Sequence, residues 1–303
     1  MRSMVNVTAL ASVLSLAAAG ALAQTPAAKP AAPAAPAAAK LAAPAATASP
    51  VVGAHVRLIV KDVAATKKLL VDGLGGASAT AGSAEAVKFP GLLVLLQKGD
   101  PKGGTRGSTV SLIALEVKDL AKTVATLKTA KAKFVTREET NYIYTVKDDI
   151  ATVPDQQTIS AVVQTPDEVN IRLVENKQAA ATVAFRHINL DPPNVTDAMA
   201  WYTKAFGAKD GDRGFGFQSL DLGKHAGALL FTMAPDKVAG TEGRSLAHVG
   251  FEVRGAALLV QTIKAQGGKV VSPLAKSADT GVPTAVVSDP WGTLIELTEG
   301  LKF

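Results

Sequence analysis

The chain has 303 residues, of which 48% are hydrophobic and 19% are charged, a balance typical of a globular protein with a sizeable core. Its 32 lysines and arginines exceed its 26 aspartates and glutamates by six, but they are scattered, and only 5% of the residues are aromatic. This distribution argues against nucleic-acid binding, which favours a basic stripe with aromatic stacking partners. The absence of cysteine excludes disulfides, thiolate metal ligands and a cysteine nucleophile.

Residues 1–23 have the pattern of a secretory signal peptide. Arg2 supplies a short positive region, an apolar run follows, and Ala21-Leu22-Ala23 matches the small-x-small cleavage pattern. An uncleaved membrane anchor is the alternative, because the apolar run is nearly long enough to span a bilayer. We expect cleavage before Gln24, and therefore a periplasmic or secreted protein without a membrane contact.

Residues 24–50 consist almost wholly of alanine and proline. Repeated proline breaks helices, and the segment has almost no bulky apolar residue to bury, so it cannot contribute to a core. It is predicted to be an extended linker without a chemical role.

From Val51 onward, a strand-like run followed by an amphipathic helix occurs four times. The four pairs are His55–Val60 with Val63–Leu74, Val110–Val117 with Leu120–Lys131, Phe185–Leu190 with Asp197–Phe206, and Ala247–Val253 with Ala256–Gln266. Asp62 and Asp119 precede the first two helices and suit an N-cap. Two or three further strands follow each helix, so the repeating unit is βαβββ and about 55 residues long.

One such unit is too short to close a core by itself. We therefore expect an α+β fold in which paired units form two domains, each with a curved mixed sheet and helices outside. The predicted N-terminal domain spans 51–178 and the C-terminal domain 182–303, with a short joint between them.

Three polar residues lie within apolar strand patterns. His187, His248 and Glu296 each belong to a separate predicted strand, and the tight turn Asp289-Pro-Trp-Gly292 precedes the strand of Glu296. A carboxylate among aliphatic residues is costly without a partner. Two imidazoles and one carboxylate could therefore meet at one metal ion, although a lone strand histidine is more often structural.

These residues resemble the vicinal oxygen chelate superfamily, which includes glyoxalase I, bleomycin-resistance proteins and extradiol dioxygenases. The resemblance covers residues 51–303 and depends on the order and spacing of the three residues, 248 − 187 = 61 and 296 − 248 = 48. It implies that His187, His248 and Glu296 hold one divalent ion, and that a small substrate chelates this ion through two oxygens. Fe2+, Mn2+ and Zn2+ all suit this donor set, and the sequence does not distinguish them.

The N-terminal domain resembles a degenerate copy of this site. Alignment of the repeats puts Leu112 at the position of His248 and Arg172 at the position of Glu296. Because arginine cannot act as a ligand, His55 is predicted to be structural. An anion site built on Arg172 is the alternative interpretation.

Two features of the resemblance are missing. The fourth glyoxalase ligand would fall near 229–231, where no carboxylate is present, and the dioxygenase tyrosine is absent from 285–288. His225, in a predicted turn near the pocket, is the candidate proton carrier, because the pKa of an unperturbed histidine is close to neutrality.

Three functions are compatible with this pattern. The first is a divalent-metal-dependent enzyme of lyase, isomerase or dioxygenase type, and the second is a metal-free binding module of the bleomycin-resistance type. The third is an assembly role in which the N-terminal domain is an interface or a lid and the Ala/Pro linker is a tether to the envelope. A homodimer is compatible with this role.

Overall fold

The computed structural model describes residues 49–140, 143–153, 158–211, 218–223, 226–234 and 237–303. The signal peptide predicted for 1–23 and nearly all of the linker predicted for 24–50 lie outside these ranges. Within the described ranges, no helix is long and apolar enough to cross a membrane.

The first two modules contain the first ten strands. The first module comprises β1 (Val51–Val60), α1 (Val63–Lys68) with a π-helical continuation (Leu69–Gly73), β2 (Ala77–Ala81), β3 (Ala84–Phe89) and β4 (Leu92–Lys98). The second comprises β5 (Val110–Val117), α2 (Leu120–Thr129), β6 (Lys133–Phe134), α3 (Thr136–Glu139), β7 (Thr145–Lys147), β8 (Ile150–Val153), β9 (Thr158–Gln164) and β10 (Asn170–Glu175).

The last two modules contain the remaining eight strands. The third comprises β11 (Val183–Leu190), α4 (Val195–Phe206), β12 (Lys209–Asp210), β13 (Gln218–Asp221) and β14 (Ala228–Phe231). The fourth comprises β15 (Leu246–Val253), α5 (Ala256–Ala265), β16 (Lys269–Lys276), β17 (Pro283–Ser288) and β18 (Leu294–Thr298).

Local sequence signals account for the helix ends. The side chains of Asp62 and Asp119 accept hydrogen bonds from backbone N–H groups in the first turns of α1 and α2, as predicted for N-caps. Asn194 caps α4 in the same way. Gly207 ends α4 with a φ of 62°, a left-handed conformation that glycine adopts without strain.

The modules pair as first with fourth and second with third. An eight-stranded sheet has the order β16-β17-β18-β15-β1-β4-β3-β2, and a second sheet has the order β12-β13-β14-β11-β5-β10-β9-β8-β7, with β6 beside β9. Both central seams are antiparallel, β1 with β15 and β11 with β5. Each module contributes a parallel strand pair next to the seam, so both sheets are mixed.

This pairing corrects the expected division into domains 51–178 and 182–303. Both expected domains contribute one module to each sheet. The first strands of the modules have similar apolar patterns, so the sequence predicts that they pair but does not select the partner.

Helix α4 connects the two sheets through its aromatic residues. The ring of Tyr202 lies 5.7 Å from that of Phe231 on β14, in the second sheet. The ring of Phe206 lies 5.1 Å from that of Phe251 on β15, in the eight-stranded sheet. Edge-on aromatic pairs of this kind contribute about 0.5–1.5 kcal/mol each beyond the area they bury, so one helix stabilises both sheets.

A fragment of residues 182–303 is expected not to fold as a monomer. In this fragment β11 and β15 lose β5 and β1, the strands that complete their sheets, and their unpaired backbone groups become exposed. Far-UV circular dichroism and urea unfolding of the fragment, measured beside residues 49–303, test this. Mixing the fragment with residues 49–181 should restore structure. Cooperative unfolding of a monomeric 182–303 would contradict the module pairing.

Candidate functional site

The strand pairing determines which of the predicted metal ligands meet. His248 on β15 and Glu296 on β18 lie in contact, with 2.9 Å between His248 Nδ1 and Glu296 Oε2. His187 lies on β11 in the other sheet and does not join them. Because β1 pairs with β15, the histidine that lies beside Glu296 is His55. The predicted grouping is therefore corrected, with His55 in the place expected for His187.

Glu296 is bound by an arginine on the strand of His55. Arg57 donates from Nε to Glu296 Oε2 at 2.8 Å and from Nη2 to Oε1 at 2.7 Å. Its Nη1 donates to Asp279 Oδ2 at 2.6 Å. The side chains of Arg57 and Glu296 are only 8% and 1% exposed. We call His55, Arg57, His248, Asp279 and Glu296 the Glu296 cluster.

The ion pair keeps both partners charged. Burial alone would raise the pKa of Glu296, but hydrogen bonds from Arg57 and His248 lower this pKa well below its ordinary value of 4.5. Burial alone would likewise lower the pKa of Arg57, but Glu296 and Asp279 raise it above its ordinary value. The carboxylate and the guanidinium therefore stabilise each other's ionised form.

The cluster as it stands does not fit the predicted metal site. Two imidazoles and a carboxylate are suitable donors, but the guanidinium of Arg57 already contacts both oxygens of Glu296. A metal ion at these oxygens would meet a positive charge that deprotonation cannot remove. Within the described ranges, no group of three or more histidine, aspartate or glutamate side chains is placed to hold a metal ion.

The C-terminal residues cover the same face of the eight-stranded sheet. Leu301 is buried and packs in one cluster with Leu93 and Leu95 on β4. These two leucines pair directly with His55 and Arg57 on β1. Since paired residues of adjacent strands share a face, the chain end lies over the side of the sheet that carries the Glu296 cluster.

The second sheet has an open pocket at the corresponding place. The cavity has a volume of about 480 Å³. By strand register, the positions equivalent to His55, Arg57, His248 and Glu296 are His187, Asn189, Leu112 and Arg172. All four of these residues line the cavity, which we call the Arg172 pocket. The predicted alignment of the two sites is thereby confirmed for Leu112 and Arg172.

Arg172 lines the pocket, and its Nε is a hydrogen-bond donor there. Its Nε is buried and has no hydrogen-bond partner among the residues that the structure describes. Burial lowers the pKa of Arg172, and the nearby carboxylates Glu139 and Asp191 oppose this effect, so the group stays charged. Burial also raises the pKa of Glu139, although Arg106 and Arg172 act in the opposite direction.

Asp191 is held in place by three side chains. Its Oδ1 accepts hydrogen bonds from Ser111 Oγ at 3.0 Å, Asn189 Nδ2 at 2.5 Å and Thr232 Oγ1 at 2.6 Å. Burial nevertheless raises the pKa of Asp191, because the three neutral donors only partly replace water. Its carboxyl group therefore takes up a proton more readily than an ordinary aspartate.

Apolar side chains form the rest of the pocket wall and its mouth. They are Leu112, Ile143, Val174, Leu230, Met233 and Val238. Ile143 and Met233 are 75% and 72% exposed, unusual values for large apolar side chains. The pocket thus combines charged side chains, Arg172 among them, with apolar residues at its rim.

Sequence reasoning located only part of this pocket. His187 lines it and is buried, but without His248 or Glu296 beside it. The candidate proton carrier His225 lies outside the described residues. Asp191 was missed although it follows β11 directly, a position where an aspartate often serves a site. Glu139 belongs to α3, in an insertion that no repeat pattern predicts.

Comparison with known proteins agrees with the fold. Residues 184–297 match the model of the Glyoxalase/Bleomycin resistance protein/Dioxygenase superfamily. Glyoxalase I from Zea mays is similar in structure, with a TM-score of 0.62 and 16% identity, over 83% of this chain and 92% of that chain. A putative dioxygenase from Bacillus subtilis subsp. subtilis str. 168 has a TM-score of 0.61 and 12% identity, over 83% and 86% of the two chains. The family model matches the third and fourth modules, and the likeness to these solved structures shows that the chain has the same fold.

The match confirms the predicted vicinal oxygen chelate fold, an α+β architecture with two curved mixed sheets. The sequence match covers the third and fourth modules, and the structural likeness extends over all four. Comparison with curated protein sequences gave no match. The function of this protein is therefore inferred from its own residues.

Replacing Glu296 by glutamine should destabilise the protein by about 3–5 kcal/mol, the usual effect of leaving a buried charge without its partner. Arg57 would lose its carboxylate while remaining charged. Urea unfolding at neutral pH measures the difference from wild type. Glu242→Gln, which removes an exposed carboxylate, is the matched control and should change the free energy of unfolding little.

The effect of Glu296→Gln should also depend on pH. The folded state lowers the pKa of Glu296 below 4.5, so its stabilising effect is complete above that pH and is lost as the pH falls toward the folded value. The difference in unfolding free energy between wild type and Glu296→Gln should therefore shrink on acidification below about 4.5. Urea unfolding at several pH values checks this, and a difference that grows toward low pH would contradict the ion pair.

Proposed function

We propose that this protein is a binding module for small carboxylic acids with an apolar body, and that the Arg172 pocket is its binding site. One observation carries the proposal. Arg172 lines a cavity of about 480 Å³ with a buried Nε that has no partner among the described residues. A buried donor left unpaired costs about 1–3 kcal/mol, and an acceptor supplied by a ligand would remove this cost.

A carboxylate is the acceptor that suits a guanidinium. The planar fork of arginine donates two parallel hydrogen bonds to the two oxygens of a carboxylate. The protein itself contains this geometry, since Arg57 binds Glu296 through Nε and Nη2. Arg172 would bind the carboxylate of a ligand in the same way.

The rim of the pocket favours an apolar ligand body. Leu112, Leu230, Ile143 and Met233 all line the cavity. The side chains of Ile143 and Met233 are also exposed to solvent. The cavity volume falls within the range of about 300–1,000 Å³ that is common for small-molecule sites. An acid with several carbon atoms would bury its chain against these residues while its carboxylate contacts Arg172.

The carboxyl groups of the pocket favour a ligand with a single negative charge. Glu139 and Asp191 interact with Arg172 and would repel a second anionic group on the ligand. Arg106, Arg186 and Lys237 also line the cavity, as does Glu138. Four basic side chains thus face three carboxylates among the described lining residues, a difference that one negative charge on a ligand would balance. A monocarboxylic acid therefore suits the site better than a dicarboxylic acid.

This proposal differs from a metal-dependent enzyme built on His187, His248 and Glu296, because those residues lie in two sheets. Metal-free proton transfer in the Arg172 pocket is the second candidate function. It is favoured by Asp191, whose raised pKa suits exchange of a proton near a bound acid. A periplasmic or secreted location, expected from residues 1–23, suits a protein that sequesters small acids.

Hexanoate should bind wild-type protein, and Arg172→Met should weaken this binding at least about tenfold, as expected for loss of a charged hydrogen bond. Arg172→Lys should restore only part of the affinity, because lysine keeps the charge without the fork. Isothermal titration calorimetry measures both. Hexanol, which shares the chain but lacks the charge, should bind weakly and equally to wild type and Arg172→Met.

Arg254→Met is the matched control, because Arg254 is exposed and lies on the eight-stranded sheet at the end of β15. It should leave hexanoate binding unchanged. Equal binding of hexanoate to wild type and Arg172→Met would refute the proposed site. Turnover of a bound acid that depends on Asp191 would favour the enzymatic alternative.

Hexanoate affinity should decrease as the pH rises through the pKa of Asp191. Burial raises this pKa, so the protonated, neutral form persists to higher pH than in an ordinary aspartate. Once ionised, Asp191 competes with the ligand for Arg172. Calorimetric titrations at a series of pH values upward from about 4, the ordinary pKa of an aspartate, would measure the trend, and Asp191→Asn should flatten it.

A further inference from the structure

Two leucines on the floor of the Arg172 pocket face the cavity rather than a core. Leu112 on β5 and Leu230 on β14 are buried and line the cavity. The hydrophobic cores formed by the described residues contain their strand neighbours Ile113 and Leu229 but neither of these two side chains. Since successive residues of a strand point to opposite faces, Leu112 and Leu230 present an apolar surface to a ligand in the cavity.

The eight-stranded sheet shows what covers the position equivalent to Leu230. Leu230 pairs with Asn189 and Leu95 pairs with Arg57, and Asn189 and Arg57 are at equivalent positions of the two sheets. Leu95 packs in one cluster with Leu301 of the chain end. An apolar part of a ligand would therefore contact Leu230 as Leu301 contacts Leu95.

The strand register determines how far this apolar position lies from the charged one. One row across the sheet, from β10 through β5 and β11 to β14, consists of Arg172, Ala114, His187 and Ala228. Leu230 lies two residues farther along β14. Three strand spacings of about 4.8 Å and two residues of about 3.3 Å separate the backbone positions of Arg172 and Leu230 by roughly 16 Å. An extended hydrocarbon advances about 1.2 Å per bond, like the extended backbone with its three bonds per residue, so about 13 bonds span this separation.

The polar residue between the two leucines is satisfied within the protein. Asn189 lies between Leu112 and Leu230 in the strand register. Its Nδ2 donates to Ser111 Oγ at 2.8 Å, to Asp191 Oδ1 at 2.5 Å and to Thr232 Oγ1 at 2.9 Å. A hydrocarbon chain that passes over Asn189 therefore does not strip these donors of their acceptors, which would be costly.

The mouth of the cavity continues the apolar surface beyond Leu230. Met233 lies two residues beyond the end of β14, lines the cavity and is 72% exposed. A large apolar side chain with this exposure at a cavity is typical of a surface that contacts an apolar ligand. A chain that has passed Leu230 would continue along Met233 toward solvent.

We propose that the ligand of the Arg172 pocket is an unbranched fatty acid of about 12 carbons. Its carboxylate binds Arg172, and its chain crosses Leu112 and Leu230 and ends at Met233. This inference rests on the function proposed above and specifies the class of acid.

The test is a chain-length series at a constant head group. Hexanoate, octanoate, decanoate, dodecanoate and tetradecanoate are titrated into wild-type protein by calorimetry, each below the concentration at which it forms micelles. Affinity should rise about fourfold per added methylene up to dodecanoate, the effect of moving one methylene from water to an apolar surface. It should change little between dodecanoate and tetradecanoate, whose additional carbons lie in solvent.

Met233→Ser should lower the affinity for dodecanoate at least about threefold, because it removes apolar contact area at the end of the chain. It should leave hexanoate binding unchanged, since the shorter chain does not reach the mouth. Leu258→Ser is the matched control, because Leu258 is 70% exposed and lies on α5 in the fourth module. It should leave the binding of both acids unchanged.

Leu230→Ala should weaken dodecanoate binding at least about fivefold, through loss of apolar contact in the middle of the chain. Thermal midpoints establish that each variant is folded. Leu230→Met keeps the apolar volume and should retain the affinity for dodecanoate. The comparison of Leu230→Met with Met233→Ser applies even if Leu230→Ala does not fold.

Two results would overturn the inference. One is an affinity that does not increase from hexanoate to dodecanoate while hexanoate binding still requires Arg172, which would leave the proposed function intact. The other is weaker dodecanoate binding in Leu258→Ser but not in Met233→Ser, which would place the chain elsewhere. Equal binding of both acids to wild type and Arg172→Met would instead refute the proposed function, and with it this inference.

Discussion

The antiparallel pairing of β1 with β15 is the constraint on which the rest of the structure depends. It joins the first module to the last and leaves the two middle modules to pair through β5 and β11. It places Arg57 opposite His248 and within reach of Glu296. It also places His187 in a different sheet from its predicted partners, His248 and Glu296. The pairing of β1 with β15 therefore determines which polar residues meet in each sheet.

The two sheets share one plan but differ in the sign of a central charge. A carboxylate, Glu296, lies where the other sheet has Arg172. In the first sheet the opposite charge comes from within the protein, as Arg57, and the chain end covers the face. In the second sheet Asn189 lies at the position of Arg57 and binds Asp191, and Arg172 keeps a donor that has no partner among the described residues. Two sheets of the same topology thus carry a closed site and an open one.

Features that depend on neighbouring residues could be predicted from the sequence. The four modules, the caps at Asp62 and Asp119 and the turn at Asp289, whose Oδ1 accepts the N–H of Thr293, all follow from local patterns. The partner of each module could not be predicted, because similar apolar strands satisfy either pairing. The error at His187 has this single cause. Arg57 escaped notice because a charged residue in a strand is usually solvated, and only the fold shows that it is buried.

The module order has a consequence for synthesis of the chain. Leu246 begins β15 at 246 − 98 = 148 residues after Lys98 ends β4. At a translation rate of about 5–20 residues per second, β1 remains an uncovered sheet edge for roughly 7–30 s. The unpaired backbone groups of such an edge can pair with strands of other nascent chains. A charged side chain on the strand discourages this pairing. Arg57 on β1, which Glu296 neutralises only after β15 and β18 are in place, is a charge of the kind that discourages such pairing.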